Sequence, residues 1–282
     1  MLALIGGSGL YQLKGLEIEQ QFEITTPFGS PSAPICKGLY LGQPILFLAR
    51  HGTAHQLLPH EVNYRANIYA LKQLGARSIF SLSAAGSLRE DIKPGDLALV
   101  SQYFDHTRGQ REKSFFGRGV VAHVSTANPA CPALSADIQA AAEHIGQPLH
   151  TDKTYACVEG PRLGTRAESH FLRTAANCDL VGMTNIPEAF LAREAQLAYC
   201  SLCLVTDYDC WMDDPSQHVS VDKFFEVYSG TLDKAITLLN QLLSAPRSET
   251  PIGIKCALQT AVMTPEALLS AEQKEWLGVL QQ

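Results

Sequence analysis

The sequence predicts an α/β sandwich, a mostly parallel β-sheet covered by helices on both faces. Three observations carry this expectation. Strand-length apolar runs alternate with segments of helical periodicity. Several of the runs are continuously apolar or β-branched, as strands buried on both faces require. Small-residue or polar turns follow several of them, where open α/β sheets build ligand sites.

The strands are expected at Leu2–Ile5, Pro44–Leu48, Ser78–Leu82, Leu97–Ser101, Tyr155–Val158, Leu180–Thr184 and Ser201–Thr206. Between them, Tyr64–Leu74 sets Ile68, Leu71 and Leu74 at helical spacing, and Arg166–Ala175 and Pro187–Gln196 follow the same rule. Pro187 suits a first helical turn, and Glu188 beside it favours the N-terminal dipole. Val221–Leu243 reads as a long final helix. Ser244–Gly253, rich in Pro, Ser and charge, is linker-like and leads to a tail with its own apolar residues. The expected organisation is therefore a main domain over 1–243 and a linker and tail over 244–282. The tail is expected to pack on the same domain or on a neighbouring subunit.

Composition narrows the function classes. The net charge is −6 and no Lys/Arg cluster appears, so the footprint of a nucleic-acid binder is missing. No apolar run approaches the roughly 20 residues of a membrane-spanning helix. The start, Met1-Leu-Ala-Leu-Ile5, has no basic region or cleavage site of a signal peptide. The eight cysteines sit mostly in apolar, strand-like contexts and read as reduced residues of a cytoplasmic protein. Cys200 and Cys203 form a C-x-x-C, but on a strand they point to opposite faces, which disfavours a redox or zinc pair.

Four segments carry chemistry. Gly6-Gly-Ser-Gly-Leu10 lets backbone N–H groups approach an anion, with one hydroxyl added. It is neither a Walker A loop nor a full dinucleotide fingerprint, and alone it reads equally well as a tight turn. Ala49-Arg-His-Gly52 ends an apolar strand. Arg50 offers a planar fork of donors matched to phosphate oxygens, and His51 can donate or shuttle a proton. Ser81-Leu-Ser-Ala-Ala-Gly-Ser-Leu88 runs into a small-residue turn that either permits close ligand contact or is a packing corner. Together these three strand ends suit a phosphate or another compact oxyanion. The fourth, Val205-Thr-Asp-Tyr-Asp-Cys-Trp211, follows an apolar strand with two carboxylates at i and i+2. Those carboxylates could face water, bind a metal, or hydrogen-bond a purine, protonating N7 while accepting from an exocyclic amino group.

Taken in order, these segments resemble the methylthioadenosine phosphorylase family. The resemblance adds Thr26-Pro-Phe-Gly29, Val62-Asn-Tyr-Arg-Ala-Asn67, Gly86-Ser-Leu-Arg89, Glu159-Gly-Pro-Arg162, Gly182-Met-Thr184 and Pro187-Glu188, and spans most of residues 1–225. It implies the three-layer purine nucleoside phosphorylase-like fold, a central mixed, mostly parallel β-sheet flanked by helices, in a homotrimer with sites near subunit interfaces. The implied reaction is phosphate-dependent cleavage of 5′-methylthioadenosine to adenine and 5-methylthioribose 1-phosphate. Inorganic phosphate is then a co-substrate, with no metal or organic cofactor. Nucleoside and phosphate are the expected partners, to the exclusion of nucleic acid and membrane.

Carried over residue by residue, the resemblance assigns phosphate to Ser8, Arg50, His51, Ser83, Ala84 and Thr184. Met183 would hold the ribose, Asp207 would be the acid at purine N7, and Asp209 would support the adenine amino group. His123 would approach the 5′ end from a neighbouring subunit, and Met263 would cap it from the adjacent tail. Val221, Phe224 and Phe225 would form the apolar wall that favours a thioether over a hydroxyl; packing toward the core explains them equally. Asp at 207 and Gly at 164 point to a 6-aminopurine, since the 6-oxopurine branch carries Asn at the first position and a Glu at the second. Leu163-Gly164, in place of the family's common Phe-Ser, leans the other way and leaves a methylthioinosine or general 6-oxopurine phosphorylase as the alternative. A non-catalytic nucleoside binder is the distant one.

Overall fold

The computed structural model describes residues 1–7, 13–109, 111–212, 214 and 221–282, without the side chains of 221–225. Nine strands alternate with helices: β1 (Leu2–Gly6), β2 (Leu16–Phe22), β3 (Ile35–Tyr40), β4 (Gln43–Ala49), α1 (Tyr64–Gln73), β5 (Ser78–Ser87), β6 (Leu97–His106), α2 (Pro132–His144), β7 (His150–Val158), α3 (Arg166–His170), β8 (Leu180–Gly182), α4 (Asn185–Glu194), β9 (Ala198–Asp207) and α5 (Val221–Ser244). The short α6 (Ile252–Lys255) and α7 (Ala271–Gln281) complete the chain.

The sheet is mixed, in the order β2-β3-β4-β1-β5-β8-β7-β6-β9, and β5 also pairs with β9. The parallel pairs β1–β4, β1–β5, β5–β9, β6–β7 and β7–β8 outnumber the antiparallel pairs β2–β3, β3–β4, β5–β8 and β6–β9. The expected mixed α/β architecture is therefore present, with one refinement. β5 is ten residues long and pairs β9 from Ser78 to Gly86; on its other edge it pairs β1 over Ser78–Ser81, then β8 at Gly86–Ser87. That branch closes β5, β8, β7, β6 and β9 into a ring at one end of the sheet. Among the described residues, no helix is long and apolar enough to cross a membrane.

Each expected strand is found, extended by one to five residues or, for β8, cut short at Gly182. Two strands escaped the sequence reading. β2 (LEIEQQF) is almost wholly exposed and β3 carries Cys-Lys-Gly, so neither shows a continuous apolar run. They form the sheet edge, where burial asks little of sequence. Helix α2 was missed for a related reason: it buries only Leu134, Ile138, Ala141 and Ala142, and small alanines give a weak periodic signal. The Arg166–Ala175 helix begins with a capping box, Thr165 with Glu168, and changes to a π turn at Phe171–Ala175.

Beyond the linker, Trp276, Leu277 and Leu280 of α7 are buried in the main core, and α7 lies against α1. Residues 261–263 run antiparallel to 121–123: Ala122 bridges Val262, and Met263 N–H donates to the Val121 carbonyl at 2.8 Å.

Loop 111–118 is fastened partly by Glu194 at the end of α4, which accepts from Ser114 Oγ at 2.7 Å and Phe115 N–H at 2.8 Å. Burial pushes this carboxyl up to about 7. A folded-state value above the unfolded one contributes stability below the unfolded value near 4.5 that is lost as pH rises through about 7. The wild-type melting temperature should therefore fall between pH 6 and 8 by about 2 °C or more beyond the fall of Glu194→Gln, the least that ~1 kcal/mol produces in a chain of this size. Parallel pH profiles in calorimetry would remove this account of Glu194.

Candidate active site

The C-terminal ends of β1, β4, β5 and β9 and the β8–α4 junction converge on a cavity of about 400 Å³, within the size range of small-ligand sites. Gly7, Arg50, His51, Ser83, Ala84, Met183, Thr184, Leu163, Asp207 and Asp209 all line it. Segments separated by up to two hundred residues are thus gathered at one place by the parallel strands. Ser8 lies outside the described residues, as do the side chains of Val221, Phe224 and Phe225. Tyr228, one helical turn beyond position 224, does line the cavity and brings α5 to it.

One end of the cavity is built on a buried ion pair. Arg50 and Glu188 are each 1% exposed; Nε donates to Oε2 at 2.7 Å and Nη2 to Oε1 at 3.0 Å. Glu188 also accepts from Ser81 Oγ at 2.7 Å and Tyr199 Oη at 2.9 Å. Arg50 Nη2 and Nη1 reach Ser81 Oγ and the Leu82 carbonyl. Nη1 carries a second N–H, the remaining donor of a group that the Glu188 carboxylate keeps firmly protonated against the cost of burial. Glu188 therefore does more than favour a helix dipole: it neutralises and aims Arg50.

His51 stands beside it. Burial, and after it the Arg50 charge, pull its imidazole down to about 4, so it is neutral near pH 7. Its Nδ1 lies 2.9 Å from the Leu57 carbonyl, an acceptor only, so the proton sits on Nδ1 and Nε2 is left as an acceptor. Thr184 is the N-cap of α4, yet its hydroxyl makes no capping bond. Thr184 lines the cavity at this corner, ahead of a break at Ile186 (φ −112°, ψ 131°), so the helical turns of α4 begin only beyond it. Ser83 differs from a simple outward donor: its hydroxyl proton goes inward to Asn185 Oδ1 at 2.9 Å.

The opposite wall carries the two carboxylates. Asp207 Oδ2 accepts from Thr206 Oγ1 at 2.7 Å and Oδ1 from Asp209 N–H at 2.8 Å. Burial raises its pKa, and that outweighs these hydrogen bonds; the neighbouring Asp209 charge acts in the same direction. Asp209 adopts a left-handed backbone, φ 53°, which turns the chain back so that both acids face one cavity. Gly86 opposite is required by contact, because a Cβ there would lie 2.8 Å from Asp207 Oδ1. Gly160 is required doubly: its φ is +67° and a Cβ would collide with Met183 Sδ.

Arg111 escaped the sequence reading, since it lies in a polar stretch with no periodicity. Its side chain is 1% exposed and donates to Glu159 Oε1 at 2.9 Å, the Met183 carbonyl at 2.7 Å, the Ile186 carbonyl at 2.6 Å and the Glu159 carbonyl at 2.8 Å. It also lies 5.7 Å over the Tyr64 ring. Arg111 thereby fixes the Met183 backbone between β8 and α4. Leu57, Leu58 and Pro59 add an apolar wall that was likewise unread.

His123 and Met263 do not line this cavity; both are exposed and lie together where 261–263 meet 121–123.

Residues 1–240 match the model of the phosphorylase superfamily. An S-methyl-5′-thioadenosine phosphorylase of Geobacter sulfurreducens is 44% identical over 280 residues, covering 99% of this chain and 97% of that protein. A methylthioadenosine phosphorylase from an antarctic soil metagenomic library superposes with a TM-score of 0.91 at 44% identity, covering 99% of this chain and 98% of that one. This chain belongs to the methylthioadenosine phosphorylase family. A Schistosoma mansoni methylthioadenosine phosphorylase solved in complex with adenine superposes with a TM-score of 0.86 at 32% identity, over 93% of this chain and 98% of that one.

Two substitutions test the architecture. Glu188→Gln leaves Arg50 buried without a counter-charge and should cost about 3–5 kcal/mol in denaturant unfolding; a change below about 1 kcal/mol would show the pair to be dispensable. Arg111→Met removes two charged hydrogen bonds from the β8–α4 junction and should raise the nucleoside KM by about tenfold or more, with the phosphate KM moving less and Arg111→Lys restoring part of the loss. Equal shifts in both KM values would point to general loosening instead.

Proposed function

We propose that this chain splits 5′-methylthioadenosine with inorganic phosphate, giving adenine and 5-methylthioribose 1-phosphate. The observation that carries the reading is the polarity of the cavity. A buried cation beside the Thr184 corner occupies one end, and a carboxyl whose pKa burial raises occupies the other. Phosphorolysis of a purine nucleoside needs those two ends, and the high identity to enzymes named for that substrate supports the same conclusion.

Phosphate sits against Arg50 Nη1, the Thr184 corner, Ser83, Ala84 and Gly7, with a P–OH donating to His51 Nε2. Met183 supports the ribose. A phosphate oxygen bonds to C1′ as the C1′–N9 bond breaks, through an oxocarbenium-like sugar. Asp207 passes its proton to N7, so the base leaves neutral, and the proton that phosphate gives up restores the balance. Asp209 accepts from the adenine amino group. The step balances with phosphate as the sole co-reactant.

The 5′ end of the nucleoside meets α5 at Tyr228, with Val221, Phe224 and Phe225 of the preceding turns as its proposed apolar wall. His123 and Met263 reach it from the neighbouring copy of a homotrimer, which accounts for their position away from the cavity of their own chain. All eight cysteines are free thiols, in keeping with a cytoplasmic setting.

Leu163-Gly164 favours a second reading, cleavage of methylthioinosine. A 6-oxopurine presents an acceptor at position 6, which Asp209 as a carboxylate rejects. Base release from methylthioadenosine, methylthioinosine and inosine, with and without phosphate, decides between them. Phosphate-dependent adenine release with the 6-oxopurines nearly inert is expected. Release without phosphate would make the protein a hydrolase, and turnover of methylthioinosine alone would replace the adenine reading. Asp207→Asn should lower kcat/KM for methylthioadenosine by about 10²–10⁴, the usual worth of a general acid; full activity would remove Asp207 from that role.

A further inference from the structure

A second cavity, of about 280 Å³, adjoins the first at its base end. The two share Val158, Gly164, Val181 and Asp209, whereas Arg50, His51 and Thr184 line only the first. The second cavity therefore lies behind the residue that faces the adenine amino group, away from the phosphate corner. Gly164 forms part of the common wall and leaves it thin. A Cβ at that position would meet only Glu168 Oε2, at 4.0 Å, so the backbone tolerates a side chain there and the opening follows from glycine's lack of one.

The chemistry of this annex is specific. Four of its charged side chains are already engaged: Arg162 donates to both Glu168 oxygens, at 2.6 and 2.8 Å, Arg108 Nη2 lies 3.8 Å from Glu168 Oε1, and Glu159 is held by Arg111 and the Arg108 N–H. A charged substituent would have to break these pairs, whereas a neutral one would not. The inner wall combines an apolar residue, Leu172, with Ser169. Ser169 is 1% exposed, and among the described residues its Oγ has no hydrogen-bond partner beyond the weakly bonding Cys210 thiol. A buried hydroxyl in that position gains by meeting a polar group delivered into the cavity.

We infer that the annex is a subsite for a neutral, hydroxyl-bearing alkyl substituent on the exocyclic nitrogen of adenine, so that N6-hydroxyalkyl methylthioadenosines are substrates. The inference rests on the proposed placement of adenine between Asp207 and Asp209. A mono-substituted N6 keeps one N–H, and steric crowding by N7 turns the substituent toward N1. The remaining N–H then stays on the N7 side, where it can still be donated to Asp209. The chain leaves the first cavity past Gly164 and Asp209, runs along Leu172 and ends against Ser169.

The test measures kcat/KM at saturating phosphate for 5′-methylthioadenosine and its N6-(2-hydroxyethyl) and N6-propyl derivatives, with release of the substituted adenine followed chromatographically. The expected result is turnover of the hydroxyethyl compound within about tenfold of the parent, since the annex replaces a closed wall. Ser169→Ala should erase the preference for hydroxyethyl over propyl. Gly164→Val should depress the ratio of hydroxyethyl to parent turnover by about tenfold or more, a ratio that does not depend on the variant's overall activity. Normal turnover of methylthioadenosine with both derivatives inert would overturn the subsite and leave the main reading intact. Loss of phosphate-dependent turnover with all three would overturn the main reading, and the subsite with it.

Discussion

The Arg50–Glu188 pair is the constraint around which the site is built. Two full charges at 1% exposure are tolerated only because Glu188 receives hydrogen bonds from Arg50, Ser81 and Tyr199 together. Arg50 directly follows β4, Ser81 and Tyr199 lie on β5 and β9, and Glu188 lies on α4. The pair therefore ties the strand ends of the cavity floor to α4. Its cost in desolvation has a return at the site. Arg50 stays charged and immobile; burial, with the Arg50 charge second, keeps the adjacent His51 neutral, and the Leu57 carbonyl fixes its tautomer.

The base end follows the opposite logic. Asp207 has no cation among the partners described for it; its neighbours are a hydroxyl, a backbone N–H and a second carboxylate. Burial therefore dominates and the acid is held back from ionising. One cavity thus contains a permanently ionised group at one end and a reluctantly ionised one at the other. The separation is achieved by where charges are compensated rather than by which residue types are present. Arg111 supplies the mechanical link between the ends, because its guanidinium joins Glu159 to the carbonyls of Met183 and Ile186 across the β8–α4 junction.

Much of this was legible in the sequence. Strands buried on both faces announce themselves as apolar runs, and the turns after them carried Arg50, His51, Ser83 and Asp207, all of which line the cavity. What stayed hidden depends on tertiary contact. Glu188 reads as an ordinary first-turn acid, and nothing in its neighbours tells that it lies against a residue 138 positions away. Arg111 looks like one more solvated charge in a polar loop, though its side chain is 1% exposed. Leu57–Pro59 have no period to read. The edge strands β2 and β3 and the alanine-rich α2 were missed because each buries too little to leave a pattern.

The two ends of the cavity are also coupled through the ligand. His51 is neutral and burial raises the Asp207 pKa. On the proposed placement, a phosphate dianion at the Arg50 end adds negative charge inside a partly desolvated space. By the rule that a negative neighbour disfavours losing a proton, it raises both groups. For His51 this makes the P–OH proton easier to accept. For Asp207 it makes the acid fuller at the moment the nucleophile is in place. An arrangement of this kind needs no moving part to favour phosphorolysis over premature loss of the base, because the nucleophile itself charges the acid that the leaving group requires.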